Sequence, residues 1–227
     1  MLTVKIAIDG PAGAGKSTIA RIVAKRLGLR YLDTGAMYRA VTLAALKKGV
    51  SCADEEALLR VATSMDLEIV FEKETKSNLV YLNGEDVTSA IRQPEVNASV
   101  SLVSSHKKVR EFIVALQKEI GRQGCIVMDG RDIGTVVMPD ADWKIFLQAS
   151  VEERARRRQK ELQRNGHAVD LVELEEQIRQ RDHSDSTREV SPLRKAEDAI
   201  EVDTTHMNIE QVVDKVLAII KGADEDV

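Results

Sequence analysis

The sequence predicts an α/β fold built on a parallel sheet of about five strands. Three observations carry that prediction. A glycine-rich loop lies between an apolar strand and a helix near the start of the chain. Apolar strand segments then alternate with segments of helical period. One stretch, roughly 66–90, changes to a period of two with a hairpin signal, so it reads as a small antiparallel insert beside the parallel sheet.

The loop is Gly10-Pro11-Ala12-Gly13-Ala14-Gly15-Lys16-Ser17, with Thr18 next. It fits G-x-x-x-x-G-K-[ST] at every fixed position. Val4 to Asp9 reads as the strand before it, and Ile19, Ile22, Val23 and Leu27 give the helix after it, with Gly28 as its left-handed stop. Glycines let successive backbone N–H groups turn around an anion, and the helix N-terminus points its partial positive charge at the same place. Lys16 would reach the β- and γ-phosphates of a nucleoside triphosphate, and the Ser17 hydroxyl would join a Mg²⁺ shell.

Composition narrows the class. A chain of 227 residues supports one large core with small insertions. With 33 basic and 37 acidic residues the net charge is −4, which gives no general pull toward nucleic acid or anionic membrane. At 3% aromatic content, stacking platforms for single strands are not expected. Cys52 and Cys125 stand apart and make no zinc pattern, and the histidines are scattered. The chain enters its first strand without a leader and holds no membrane-length apolar run, so a cytoplasmic protein is expected.

Arg30 to Asp33 is the next strand, and Thr34 is placed to cap a helix whose apolar face runs through Met37, Val41, Ala44 and Ala45. On spacing alone, Arg39 fits a solvated charge as well as a ligand contact. Asp54 to Met65 is a short helix. Leu67, Ile69 and Phe71 then alternate with Glu68, Val70 and Glu72, Lys73 to Asn78 reads as a turn, Leu79 to Leu82 as a strand, and Asn83-Gly84 as a hairpin. Two helices follow, Pro94 to Ser105 and Lys107 to Arg122. The first is rich in hydroxyls, Ser101 among them, which suit close packing as well as binding; Arg110 opens the second.

Cys125 to Asp129 is an apolar strand ending in an acid, followed by Gly130-Arg131-Asp132. Ligands in open α/β sheets bind at such strand ends, which makes Asp129, Arg131 and Asp132 candidates, Asp129 also for the Mg²⁺ shell. After the strand Trp143 to Leu147, a helix from Ser150 carries Arg154, Arg156, Arg157, Arg158, Lys160 and Arg164, and Asn165-Gly166-His167 breaks it. A second helix, Leu171 to Arg188, puts Arg181, Asp185 and Arg188 on one face by spacing. The pair reads as an arginine-rich lid or as a hairpin laced with ion pairs. Ala199 to Val202 is the last strand, Asn208 caps the last helix, Gly222 ends it, and 223–227 form an acidic tail.

The chain resembles the bacterial cytidylate kinases along nearly its whole length. The matching segments are Ile8 to Ser17, Leu32-Asp33-Thr34-Gly35-Ala36-Met37-Tyr38-Arg39, Asn83 to Val87, Asp129-Gly130-Arg131-Asp132-Ile133-Gly134-Thr135-Val136-Val137, Lys144 to Leu147, and Arg181-Asp182 through Arg188. The resemblance implies a P-loop NTPase fold in one kinase domain. Its core would be about 1–33, 106–150 and 190–227, with the nucleoside-monophosphate region at 34–105 and the lid at 151–189. It implies transfer of the γ-phosphoryl group of ATP to CMP or dCMP, with Mg²⁺ and no zinc, by a monomer. Ser101, Arg110 and Asp132 would then read the cytosine. Arg39, Arg131 and Arg188 would hold the acceptor phosphate, with Thr34 nearby. Arg181 and Asp185 would hold the sugar, and the lid arginines would come from the run Arg154 to Arg158, with Arg157 for ATP and Arg158 for the transferring group. An adenylate, uridylate or shikimate-type kinase would share the loop and lid. A GTP-binding switch is disfavoured, because no Asn-Lys-x-Asp motif is present. A nucleic-acid-binding ATPase would show salt-sensitive binding to polynucleotide.

Overall fold

The computed structural model describes residues 4–72, 77–164 and 169–222. The expected tail at 223–227, the helix break at 165–167 and most of the turn from Lys73 lie outside them. Five parallel strands, β1 (Lys5–Asp9), β2 (Arg30–Asp33), β6 (Ile126–Gly130), β7 (Trp143–Gln148) and β8 (Ile200–Asp203), form one sheet in the order β2-β6-β1-β7-β8. Helices α1 (Lys16–Leu27), α2 (Thr34–Lys47), α5 (Lys107–Arg122) and α8 (Ile209–Lys221) belong to this body. One apolar layer centres on Val41, Ile113 and Met128, the other on Ile8, Val23 and Val213, so the sheet is buried on both sides as parallel sheets require.

The glycine loop follows β1, and Gly10 shows why no other residue serves there. Its φ is +148°, and a Cβ would lie 2.0 Å from the Leu147 carbonyl oxygen of the neighbouring strand. Gly28 ends α1 at φ 68°, as its position predicts. The alternating stretch is the separate antiparallel sheet β3 (Leu67–Glu72), β4 (Ser77–Leu82) and β5 (Glu85–Asp86), turned at Asn83 and Gly84, both at positive φ. Ser77 and Asn78, expected in the turn, pair instead with Glu72 and Phe71 inside the ladder. Asn78 also joins the two sheets. It accepts from Asp33 N at 2.8 Å and donates to the Tyr31 carbonyl at 2.6 Å, in the way a neighbouring strand would.

Helix α3 (Glu55–Ser64) is capped by Asp54, and α4 (Pro94–Ser105) begins with proline at its first turn. Thr34 does not cap α2. Asp33 does, accepting from Ala36 N at 3.2 Å, because its extended backbone leaves its carboxylate ahead of the first free amides. Thr34 is already helical, and its hydroxyl donates to the Asp129 carbonyl at 2.7 Å. The lid helices α6 (Val151–Arg164) and α7 (Leu171–Thr187) pack on each other through Ala155, Leu174 and Ile178. Arg188 lies beyond α7 in extended backbone, so it does not continue the Arg181–Asp185 face. Its Nε donates to the Ser191 carbonyl at 2.7 Å.

Candidate active site

The loop, the ends of β2 and β6 and the inner side of the lid meet over the carboxyl end of the sheet. Lys16 is buried at the start of α1, with Nζ donating to the Pro11 carbonyl across the loop at 2.7 Å. Burial, then the positive charge of Arg131, hold its pKa well below the ordinary lysine value, against the pull of Asp129, Asp185 and Asp9. Ser17 Oγ donates to Asp129 Oδ2 at 2.7 Å, and the Tyr31 hydroxyl donates to Asp129 Oδ1 at 2.8 Å. Burial is the main cause that pushes the Asp129 carboxyl up to about 6, and the nearby Asp33 adds to it. A hydroxyl and a buried carboxylate side by side, next to a phosphate loop, are hard oxygen donors of the kind that share Mg²⁺ with substrate phosphates. The residues present therefore fit the ion.

Opposite the loop is a densely charged cluster. Arg110 and Asp132 form a buried ion pair, Nη2 to Oδ1 at 2.8 Å, at 2% and 4% side-chain exposure. Arg110 Nη1 also donates to the Ser104 carbonyl in the last turn of α4, the turn that contributes Ser101, and the guanidinium lies 5.1 Å from the Tyr38 ring centre. Arg131 Nε donates to Asp185 Oδ2 at 2.9 Å, joining the sheet end to the lid. Arg188 Nη1 lies 3.5 Å from the other Asp185 oxygen. Arg39 and Arg92 flank Asp33 at 3.7 and 3.1 Å. Burial would raise the Asp33 carboxyl, but Arg39 and Arg92 outweigh it and bring it below the usual value; burial against Asp185 is likewise overcome by Arg131 and Arg181.

Positive charge exceeds negative here, and the arginines show it. Arg181 and Arg188 are both brought down to about 10, by burial first and then by neighbouring cations, Arg131 beside Arg181 and Arg110 beside Arg188. An anion would relieve that repulsion. Several donors are also buried without a hydrogen-bond partner among the described residues: Arg39 Nε, Arg110 Nε, Arg181 Nε and Arg188 Nη2, with the acceptor Asp132 Oδ2 between them. Buried polar atoms in such a cluster mark a place built for something else to complete.

The structure thus brings Lys16, Ser17, Asp129, Arg131, Asp132, Arg110, Asp185 and Arg188 together. It departs from expectation in the lid. Arg157 is held by Glu153 at 3.0 Å and by both oxygens of Thr204, at 3.1 and 2.6 Å. Arg158 pairs with Glu161 at 2.8 Å, though it lies near enough to Arg181 to lower its pKa. The arginine that touches the loop is Arg154, buried, donating to the Ala12 carbonyl at 3.0 Å and the Ala149 carbonyl at 2.9 Å and paired with Asp182 at 2.6 Å. Sequence reasoning placed Arg154 in the lid run without singling it out, and missed Tyr31 and Asp9. For Asp9 a signal existed, an acid at the carboxyl end of an apolar strand; for Tyr31 there was none.

Comparison with known proteins bears on the whole chain. The family model for cytidylate kinase matches residues 6–222. A cytidylate kinase of Bacillus cereus is 53% identical over 219 residues, 96% of each chain, and one of Bacillus anthracis is 53% identical over the same share. An uncharacterized protein of Eubacterium ventriosum, 11% identical, superposes with a TM-score of 0.51 over 97% of this chain and 99% of its own, a likeness of fold alone.

Proposed function

The chain belongs to the cytidylate kinase family, and on that premise we propose how its residues carry the reaction. The γ-phosphoryl group of ATP passes to CMP or dCMP, giving CDP or dCDP and ADP. The loop amides of Gly10 to Ser17 and Thr18 cradle the donor phosphates, and Lys16 exchanges the Pro11 carbonyl for the β- and γ-phosphates. Ser17 and Asp129 would hold Mg²⁺, which would supply positive charge to offset that of the donor phosphates.

The observation that carries the choice of base is the buried Arg110–Asp132 pair with Arg110 Nε and Asp132 Oδ2 still unpartnered. Cytosine offers an exocyclic amine as donor and N3 and O2 as acceptors. Asp132 accepts from the amine, Arg110 donates to the ring, and Ser101 completes the set. Uracil reverses the two central groups, setting a carbonyl against the carboxylate and an N–H against the guanidinium. Arg39, Arg131 and Arg188 hold the acceptor phosphate, with Thr34 beside them, and Arg181 and Asp185 hold the sugar. The attacking atom is a phosphate oxygen, largely ionised at neutral pH, so no side chain needs to remove a proton. What the reaction needs is alignment and cancelled charge, and the arginines supply both. In this reading α6 and α7 act as a lid over the core, Arg158 leaves Glu161 for the transferring group, and one chain supplies every group named. Among the described residues no helix is long and apolar enough to cross a membrane.

The test is ADP release from ATP and Mg²⁺ with CMP, dCMP, UMP, AMP and shikimate offered separately. Strong turnover with CMP and dCMP and weak turnover with UMP is expected; preference for another acceptor refutes the base assignment. A second prediction concerns the loop. Arg154→Ala removes the guanidinium under Ala12, and KM for ATP is expected to rise about tenfold with KM for CMP unchanged. Equal effects on both substrates would show that Arg154 holds the lid rather than the loop.

A further inference from the structure

One buried carboxylate has no part in these roles. Asp9 ends β1, is 5% exposed and immediately precedes Gly10. Its two oxygens accept from the backbone N–H groups of Ile133, at 2.9 Å, and Gly134, at 2.7 Å. These amides open the short π-helical turn Ile133–Val137, and Asp132 is the residue before it. The first amides of any helical turn lack partners inside it, and an aspartate in the preceding position ordinarily supplies its own carboxylate. Asp132 makes no such bond. Its Oδ1 faces Arg110 instead.

We infer that Asp9 is a positioning residue for recognition of the base: by capping this turn in place of Asp132, it leaves the Asp132 carboxylate turned toward Arg110 and the acceptor. This rests on the role proposed for Asp132 above. The arrangement keeps two buried acids apart by giving each its own donors, backbone amides to Asp9 and a guanidinium to Asp132. The carboxyl of Asp9 is pushed up to about 6, by burial first and by the charge of Asp132, while the Gly134 and Ile133 amides and Lys16 oppose the rise. Because Asp9 adjoins Gly10, the same side chain fixes the acceptor turn to the entrance of the donor loop. Gly134 itself packs against the Lys144 stem, where a Cβ would lie 3.2 Å from Cδ and 3.3 Å from Cγ.

Two variants of Asp9 test the contact. Asp9→Asn keeps the shape but sets an amide donor against one backbone donor, which frees that N–H for Asp132. KM for CMP is expected to rise about tenfold, the size of one lost charge-assisted hydrogen bond, and the preference for CMP over UMP to fall with it, while KM for ATP holds. Asp9→Glu keeps the charge but adds a methylene in a buried position, which carries the carboxylate off the two amides it now caps, and should shift the same two quantities in the same direction. It also carries the test if Asp9→Asn does not fold. If the variants lower the melting temperature but leave KM for CMP and the CMP preference at the wild-type values, Asp9 is structural only and the inference is wrong. Asp132→Ala separates the two claims. Loss of CMP preference there, with preference kept in both contact variants, overturns the inference alone; preference kept in Asp132→Ala overturns the reading beneath it as well.

Discussion

Lys16→Met is expected to lower turnover by at least about 10³-fold, while the melting temperature of the nucleotide-free protein holds or rises. Lys16 is buried, and its Nζ donates to a carbonyl, that of Pro11. Its pKa is depressed, chiefly by burial and then by Arg131, so in the folded state the charged form is disfavoured relative to the unfolded chain. Methionine fills the same length of channel without that charge. The substitution therefore removes a local strain on folding along with the cation that faces the transferring phosphoryl group. Steady-state ADP release and thermal unfolding check the two halves separately. Retained turnover would sink the role of the loop, and a large fall in melting temperature would show that Lys16 is held for structure.

The second large effect is on Arg110. Arg110→Leu leaves the Asp132 carboxylate buried without its cation, at a cost of about 3–5 kcal/mol, or a fall in melting temperature on the order of 10 °C. The affinity for CMP should fall by at least about 100-fold, because both the ring contacts and the orientation of Asp132 go with the guanidinium. The double variant Arg110→Leu/Asp132→Leu removes both charges and should recover most of the stability with none of the CMP preference. Unfolding in denaturant gives the first comparison and calorimetric titration with CMP the second. If the double variant is no more stable than the single one, the pair is a stabilising element in its own right rather than a charge pair kept for the ligand.

Much of this was legible in the sequence, for local reasons. The strand, glycine loop and helix follow from short-range rules, since Gly10, Lys16 and Ser17 have fixed tasks at fixed spacing. The insert showed itself through its period of two and through Asn83-Gly84. What the sequence left open depended on which way a side chain turns at the end of an element. Arg188 fits the face of α7 by count, but the helix stops one residue earlier and releases it to Asp185 and Ser191. In the run Arg154 to Arg158, only the packing of the lid on the loop decides that Arg154 points to Ala12 while Arg157 is held at Thr204. Thr34 and Asp33 are both good caps, and the choice turned on which residue stays extended. Asp9 caps a turn more than a hundred residues away, with Ile133 N at a sequence separation of 124, which no spacing rule reaches.

If Arg110 and Asp132 read the base as proposed, they are already paired in the buried site and should tell cytosine from uracil before ATP arrives. Calorimetric titration of CMP and of UMP onto the protein without ATP tests it most directly. CMP is expected to bind at least about tenfold more tightly than UMP, because uracil would set like groups against Asp132 and Arg110 in a buried site. Equal affinity for the two nucleotides would contradict it, and would move the choice of base to contacts that form only when the lid closes.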